Sequence, residues 1–388
     1  MRCFLPLAGT MLILAQTAGL KLPAANAQNA AAGPPAHAPV GRWRLADSMH
    51  ERREYAGGVR LNDGRILAVS GHPLDGKSIA SAELYDPATG KWNNTGSLRQ
   101  ARNSGNEATL LHDGRVLLAG GISGTAAIRG CELFDPTTGQ WSDAASLSVG
   151  RDAKVTLLAD GRVLASGGID WSIDGGKAYA VSEIYDPKSG EWTTTGSLRT
   201  ARYAHRTILL GDGRVLAVGG YQQGDVLLAS AEVYDPQTGL WQPTGDLSSP
   251  RVAFGLTRLR DGRVLVAGGF TGVTWQKRAN VASAALYDAK SARWQETKPM
   301  QDQRAGLSIT ELPDGQVLVA GGWSSKGLEF KSAELFDPGT ETWRPVASMI
   351  VARRNHRTAL LPDGSVLIMG GSSFLGGSYL SSCEIFSY

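Results

Sequence analysis

The chain repeats one pattern seven times, and this repetition constrains its fold more than any other feature. Each unit has an Asp-Gly pair, a short apolar run, a Gly-Gly or Ser-Gly pair and, in six of the seven units, a later tryptophan, in fixed order. The Asp-Gly glycines are spaced 50, 47, 52, 49, 53 and 49 residues apart and stand at Gly64, Gly114, Gly161, Gly213, Gly262, Gly315 and Gly364. Such a period indicates structural units that fold alike and pack on their neighbours.

The fourth unit shows the strand pattern. Asp212-Gly213 suits the two-residue turn of a β-hairpin, because such turns need positive φ. The apolar run Val215–Val218 is typical of a strand covered on both faces. A third strand, 231–234, precedes an Asp-Pro turn, and Trp241 opens the fourth strand. The sequence therefore predicts an all-β fold, a seven-bladed β-propeller with four antiparallel strands in each blade.

The tryptophans predict how the ring of blades closes. The first six units each end with a tryptophan, whereas the seventh stops at Glu384-Ile385-Phe386 without one. Trp43 lies upstream of the first unit, so segment 41–49 is predicted to supply the outer strand of the last blade. This pairing removes the open sheet edge, which is a liability of β proteins. The propeller is therefore assigned to residues 41–388.

The repeated unit resembles the kelch repeat. The resemblance rests on an arginine at the head of the first strand, Gly-Gly after the second, a Glu-x-Tyr-Asp-Pro third strand and a Trp-headed fourth strand, and it covers residues 41–388. Kelch propellers include a secreted galactose oxidase, a periplasmic N-acetylneuraminate epimerase and many protein-binding modules. The resemblance implies the fold without implying one activity.

The residues before the repeats have the pattern of an exported protein. Arg2 is followed by a mostly apolar stretch, 4–20, and Ala25-Asn26-Ala27 offers a small-x-small cleavage site. We expect residues 1–27 to be a signal peptide and residues 28–40, rich in Ala and Pro, to be a flexible leader. The apolar stretch is interrupted by Pro, Gly, Thr and Gln, so stable membrane insertion is not expected. The mature protein is expected to be secreted or periplasmic.

Charge and cysteine content narrow the partners and the chemistry. The 39 basic and 36 acidic residues give a net charge of +3 without a basic run, so nucleic acid is not an expected partner. Cys131 and Cys383 occupy one small-residue position in blades 2 and 7, about 20 Å apart at roughly 10 Å per packed sheet. Two buried free thiols are expected there, rather than a disulfide or a reactive site. A monomer is expected.

The links from the second to the third strand of each blade define one face of the propeller, the loop face. These links vary in length and sequence, whereas the Asp-Gly and Asp-Pro turns of the opposite face are stereotyped. Three tryptophans outside the repeat position fall on the loop face, and three aromatic residues directly follow Gly-Gly in blades 4, 5 and 6. The predicted ligand-binding aromatics are Trp171, Trp275, Trp323, Tyr221 and Phe270. They either bind a ligand or pack their own loops.

An arginine begins the innermost strand of every blade, at Arg53, Arg102, Arg151, Arg202, Arg251, Arg304 and Arg353. Repetition in all blades favours a scaffold role, with buried ion pairs to glutamates of the third strand. These glutamates are Glu83, Glu132, Glu183, Glu232, Glu334 and Glu384, while blade 5 has Ala285. In kelch modules this position supplies some ligand-contacting arginines, which the resemblance carries to this ring. Arg251, without a glutamate, is the arginine expected to be free for a ligand.

The residues that follow these arginines are polar and differ between blades, as an asymmetric ligand requires. They are Glu54, Tyr55, Asn103, Asp152, Lys154, Tyr203, His205, Phe254, Arg354, Asn355 and His356. Of these, Tyr203, His205, Arg354 and His356 are predicted ligand contacts, together with Arg251.

Two classes of function remain open from the sequence. The first is a binding protein for a carbohydrate or for a peptide or protein, acting through the loop face. The alternative is a cofactor-independent epimerase, mutarotase or lyase, with His205, His356, Glu54, Asp152 or Tyr203 as acid or base. No metal or other cofactor is predicted, because both cysteines sit in packing positions and no H-x-H or H-x₃-H pair occurs.

Overall fold

The computed structural model describes residues 40–72, 77–103, 108–373 and 378–388, without the side chains of Trp275 and Ser378. The predicted signal peptide and all of the predicted leader except Val40 lie outside these residues. The described chain confirms the all-β prediction, since it forms seven four-stranded antiparallel sheets, the blades, and five two-stranded sheets.

Each blade runs from an innermost first strand to an outermost fourth strand. In this order blade 1 comprises Gly57–Arg60, Ile66–Val69, Ala82–Asp86 and Lys91–Asn94, and blade 2 comprises Thr109–Leu110, Val116–Ala119, Cys131–Asp135 and Gln140–Ala144. Blade 3 comprises Lys154–Leu157, Val163–Ser166, Ser182–Asp186 and Glu191–Thr195, and blade 4 comprises Arg206–Leu209, Val215–Val218, Ala231–Asp235 and Leu240–Pro243. Blade 5 comprises Gly255–Arg258, Val264–Ala267, Ala284–Asp288 and Arg293–Glu296, and blade 6 comprises Ser308–Glu311, Val317–Ala320, Ala333–Asp337 and Thr342–Val346. Blade 7 comprises Arg357–Leu360, Val366–Met369, Cys383–Ser387 and Arg42–Ala46.

Short hairpins rise from the loop face of five blades. They pair Ile122–Ser123 with Ala126–Ala127, Ile169–Asp170 with Lys177–Ala178, Tyr221–Gln222 with Val226–Leu227, Phe270–Gly272 with Arg278–Asn280, and Ser372–Ser373 with Ser378–Tyr379. The helix present in the described residues is a single 3-10 turn, Trp275–Lys277, in the blade 5 hairpin. No helix of the described chain is long and apolar enough to cross a membrane.

The core lies between blades. All four residues of every second strand are buried, and each core cluster below the loops draws on two neighbouring blades, as Leu67 and Leu118 do for blades 1 and 2. The first strands of successive blades contact one another and line the central channel. Their starting end, on the loop face, forms the mouth of this channel.

The predicted closure of the ring is confirmed. Arg42–Ala46 pairs antiparallel with Cys383–Ser387, from Arg42 opposite Ser387 to Ala46 opposite Cys383. In the other blades a third-strand aromatic packs on the repeat tryptophan with ring centroids 4.9–5.3 Å apart. Trp43 and Phe386 reproduce this contact at 5.0 Å. Arg42–Ala46 therefore completes a blade built like the other six.

The two cysteines are buried and free, as predicted. Burial raises the pKa of the Cys383 thiol to about 11 and also raises the pKa of Cys131. Both thiols are therefore protonated at neutral pH and serve as small packing groups.

Candidate functional site

The repeated arginines form a buried scaffold, as the repetition suggested. All seven side chains are among the largest fully buried groups of the described chain. Six donate to the glutamate of their own blade, with N–O distances of 2.5–3.2 Å. The glutamates also accept backbone N–H groups, as Glu232 does from Arg199 and Thr200 at 2.7 and 3.1 Å. These guanidinium groups bind glutamates within their own blades and hold each blade together.

Arg251 is buried like the others, contrary to the expectation that it is free for a ligand. Its guanidinium donates to the backbone oxygen and the hydroxyl of Ser283, at 3.0 and 2.9 Å. A longer contact of 3.4 Å reaches the hydroxyl of Ser249. The loss of the glutamate therefore leaves the side chain in the same buried place, because Ser283 still anchors it there.

A ring of short pairings surrounds the mouth. In six blades the residue after the repeated arginine pairs with the residue after the glycine pair of the same blade, for example Glu54 with His72 and Arg354 with Ser372. Tyr203 pairs with Tyr221 in the same way. This register puts the side chains that follow the arginines beside those that follow Gly-Gly, although the two are distant in sequence.

The next position, two residues after the arginine, adopts a left-handed backbone in five blades. The φ values are 54° at Tyr55, 51° at Ala204, 54° at Ala253, 62° at Gly306 and 52° at Asn355. Gly306 N–H donates to Ala253 O at 2.9 Å, and Asn355 N–H donates to Gly306 O at 2.9 Å. A non-glycine residue in this conformation costs energy and is often found at functional sites. In blades 7 and 1 this position carries polar side chains, whereas blades 4 to 6 have Ala or Gly.

A hydrogen-bonded polar network occupies the mouth at blades 7 and 1. Asn355 Nδ2 donates to Glu54 Oε1 at 2.7 Å and to the Tyr55 hydroxyl at 2.8 Å. Ser372 Oγ donates to Glu54 Oε1 at 2.6 Å, and Arg354 Nε donates to Ser372 Oγ at 3.2 Å. The buried Glu54 carboxylate is thus oriented by neutral donors from blade 7. The network is defined by Glu54, Tyr55, His72, Arg354, Asn355, Ser372 and Tyr379.

His72 and Tyr379 complete the polar network. His72 Nε2 lies 3.8 Å from Glu54 Oε2, and its ring meets Tyr379 edge-on with centroids 5.1 Å apart. Burial, with the negative charge of Glu54, raises the pKa of Tyr379. Its hydroxyl is therefore protonated at neutral pH. Tyr55 is 38% exposed at the mouth.

An aromatic arc continues the site over blades 3 to 6, and its members are Trp171, Tyr203, Tyr221, Phe270 and Trp323. Tyr203 stacks on Tyr221 at 5.2 Å, and Trp171 meets Tyr203 edge-on at 5.6 Å. Phe270 meets Trp323 edge-on at 5.3 Å. The Arg354 guanidinium lies over the Trp323 ring, 4.3 Å from its centroid. Arg354 therefore joins the arc to the polar network.

The predicted aromatic contacts divide into exposed and supporting groups. Tyr203, Tyr221 and Phe270 are buried, and the Tyr203 hydroxyl donates to Asp225 in the blade 4 hairpin. Trp171 is 37% exposed, and Trp323 is partly buried. The side chain of Trp275 lies outside the described structure. Trp171 and Trp323 are thus the arc members whose rings a ligand reaches without moving a loop.

His205 and His356 lie beneath the mouth, between blades. Each is three residues after its arginine, where Phe254 and Leu307 pack in blades 5 and 6. His356 Nε2 is 2.8 Å from Ser308 Oγ, and His205 Nε2 is 3.5 Å from Ser166 Oγ. Burial, together with nearby arginines, holds the pKa of both histidines well below 6.5. The structure therefore does not bring either histidine into the polar network.

These buried histidines make stability depend on pH. Below pH 6.5 the unfolded chain binds protons that the folded chain does not, so stability falls as the pH falls through that value. His205→Phe copies Phe254 of blade 5 and is expected to remove up to about 1.4 kcal/mol of this loss per pH unit. Urea unfolding at pH 7.5 and pH 5.5 measures the difference, with the exposed His112→Gln as control. An unchanged pH dependence in His205→Phe would contradict the assignment.

Sequence reasoning missed part of the polar network. Asp152 was predicted and lies partly buried in blade 3, away from Glu54, with its N–H bonded to Ile169 O at 3.0 Å. His72 and Ser372 occupy the position after the glycine pair that singled out Tyr221 and Phe270. Comparing this position in all seven blades, rather than for aromatic residues alone, would have found both. No group of three or more His, Cys, Asp or Glu side chains suited to a metal occurs in the described ranges.

Comparison with known proteins supports the fold. A model of the Kelch motif matches residues 108–148, 202–248 and 312–350. No curated protein matches the sequence. The chain is similar to a fungal alcohol oxidase with catalytic diversity among the AA5 family, solved in complex with copper. The TM-score is 0.73 at 19% identity, over 90% of this chain and 76% of that one. It is also similar to the structure of YjhT, with a TM-score of 0.60 at 13% identity over 77% of this chain and 99% of that chain. At these identities the likeness concerns the fold alone.

Proposed function

We propose that the chain, which belongs to the kelch-repeat β-propeller family, is a binding protein that holds a carbohydrate at the mouth of its central channel. The ligand would rest on Trp323 and the aromatic arc and receive hydrogen bonds from the polar network. We further propose that the protein acts after export, because the sequence before the repeats has the pattern of a signal peptide.

One observation carries the proposal: a partly exposed aromatic ring stands directly beside a polar network that is already ordered. Arg354 contacts Trp323 and Ser372, and Ser372 and Asn355 both donate to Glu54. Sugars offer an apolar ring face and many hydroxyl groups, so an aromatic face beside fixed donors and acceptors suits them. The preorganised network lowers the entropy cost of binding.

A peptide is the less suitable ligand for this mouth. Extended peptides commonly bind by adding a strand to an unpaired sheet edge. Here the residues around the mouth are paired within their own blades, as in Glu54 with His72 and Arg354 with Ser372. Among the described residues the mouth therefore offers side chains to a compact polar ligand rather than backbone to a strand.

Acid–base chemistry on a bound sugar is the second candidate function. It is favoured by one observation, the placement of the buried Glu54 carboxylate 3.8 Å from His72 Nε2 and close to Tyr379. Such a pair could move a proton at a sugar hydroxyl without a cofactor. Glu54→Gln separates the functions: anomer exchange of the sugar, measured by NMR, would fall to the uncatalysed rate in an enzyme. A binding protein leaves it at the uncatalysed rate in either form.

Binding is expected to weaken at least tenfold in Trp323→Ala and in Asn355→Ala, because one loses the sugar platform and the other the amide that holds Glu54 and Tyr55 in place. A glycan array finds a ligand, and calorimetry with that glycan measures the change. Lys326→Ala, exposed in the same loop as Trp323, is the matched control. Near-UV circular dichroism checks that each variant is folded.

Two outcomes would contradict this proposal. Equal affinity of wild type, Trp323→Ala and Asn355→Ala for the same glycan would exclude the mouth as the site. Retention on a peptide array, with no glycan retained, would replace the carbohydrate by a peptide ligand.

A further inference from the structure

Blade 5 differs from the other blades at one buried position. In six blades a third-strand glutamate meets the repeated arginine. Blade 5 has Ala285 in this position, and Ala285 and Arg251 are both fully buried. Among the described residues Arg251 forms no ion pair, and its hydrogen bonds go to uncharged oxygens of Ser249 and Ser283. The negative charge of Glu296 acts on Arg251 only from beyond ion-pair distance, and a buried guanidinium that no carboxylate contacts is costly.

The donors that converge on the glutamate elsewhere are also present in blade 5. In blade 7, Glu384 accepts the backbone N–H groups of Ile350 and Val351 at 2.6 and 2.9 Å besides the bond from Arg353. The equivalent N–H groups in blade 5 belong to Ser248 and Ser249. Within the described chain no acceptor is found for either of them. Two N–H groups and a guanidinium therefore surround a position that contains no carboxylate.

The strands of blade 5 pair in the same register as those of the other blades. Ala285 lies opposite Val266 and Glu296, as Glu232 of blade 4 lies opposite Ala217 and Pro243. Glu296, on the outer strand, accepts a hydrogen bond from the Ser248 hydroxyl at 2.5 Å. Its carboxylate is turned to that exposed serine rather than paired with Arg251. Ala285 thus lacks the side-chain atoms that bring a carboxylate to the guanidinium in the other six blades.

We propose that a small inorganic anion, chloride, occupies this position in blade 5 and replaces the missing carboxylate. It would accept from Arg251 and from the N–H groups of Ser248 and Ser249, which neutralises the buried charge and gives the two N–H groups an acceptor. Ser248 is exposed, so the anion exchanges with solvent on that side. This site is structural and independent of the carbohydrate site at the mouth.

Thermal unfolding in different salts tests the proposal. The wild-type melting temperature is expected to be about 2 °C or more higher in sodium chloride than in sodium methanesulfonate of equal ionic strength. Ala285→Glu restores the carboxylate of the other six blades. This variant is expected to melt at a higher temperature without chloride and to lose the difference between the two salts.

A second measurement does not depend on the variant. Crystals of the wild-type protein soaked in sodium bromide are expected to show an anomalous peak between Arg251 and the N–H groups of Ser248 and Ser249, with none at the glutamates of the other blades. The absence of bromide from blade 5 would overturn the proposal. So would the same chloride effect on the melting temperatures of wild type and Ala285→Glu.

Discussion

Replacing Glu232 by alanine is expected to lower the free energy of unfolding by about 3–5 kcal/mol, because it leaves a buried guanidinium uncompensated. The Arg202 side chain is fully buried and donates to Glu232 at 2.8 Å. The same carboxylate accepts the backbone N–H groups of Arg199 and Thr200. One substitution therefore removes the acceptor of three donors. Urea unfolding in chloride-free buffer, followed by tryptophan fluorescence and circular dichroism, measures the loss.

Two further variants make this result specific. Glu232→Gln keeps an acceptor oxygen but removes the charge, so a smaller loss is expected. Asp143→Ala breaks the exposed pair with Arg99, whose side chains are 68% and 63% exposed, and is expected to cost at most about 1 kcal/mol. If Glu232→Ala cost no more than Asp143→Ala, the arginine ring would not be the scaffold of the blades. Added chloride is expected to restore part of the stability of Glu232→Ala, because the variant imitates blade 5.

The repeats predicted the features that are set within one blade. Strand order, the Asp-Gly turns and the ion pair between the arginine and the third-strand glutamate depend on nearby residues. The turns recur in every unit, and the ion pair recurs in six of the seven. The small-residue position of Cys131 and Cys383 followed in the same way. A pattern seen in seven units is more reliable than one seen at a single position. These predictions also needed no knowledge of how the blades are arranged in space, because the features lie within one blade.

The polar network was harder to predict, because it forms between the first and the last blade. Asn355 and Glu54 are 301 positions apart in sequence and meet only after the ring has closed. The left-handed backbone at Tyr55 has no sequence signal, and that at Asn355 has only a weak one, the preference of asparagine for positive φ.

Burial at the mouth was equally hidden from the sequence. Tyr221 and Phe270 follow Gly-Gly as Trp323 does, yet both are buried against the cluster that contains Val252 and Ala305. Tyr221 itself belongs to the hairpin that pairs Tyr221–Gln222 with Val226–Leu227. His205 likewise takes the packing position that Phe254 fills in blade 5. A polar or aromatic residue at a variable position is thus no guarantee of exposure.

A chain that begins at Asp47 is expected to lose its cooperative fold, because it lacks the strand that closes the ring. Arg42–Ala46 covers the edge of Cys383–Ser387. Trp43 packs on Phe386 and donates from Nε1 to Ala347 O at 2.7 Å. The Trp43 ring alone is worth about 3 kcal/mol, and the strand pairing adds to it, against a total stability of about 5–15 kcal/mol for an ordinary domain.

Without Arg42–Ala46, the uncovered sheet edge of blade 7 is expected to make the truncated chain associate. Cys383–Ser387 would present unpaired N–H and C=O groups, which recruit a strand from another chain. Light scattering is therefore expected to show oligomers, and calorimetry a broad transition at lower temperature. A chain of residues 40–388 keeps the strand and is the matched control, expected to melt in one sharp transition. If the chain from Asp47 stayed monomeric and melted like this control, the strand Arg42–Ala46 would be dispensable. The stability of the propeller would then have to arise from the contacts between blades alone.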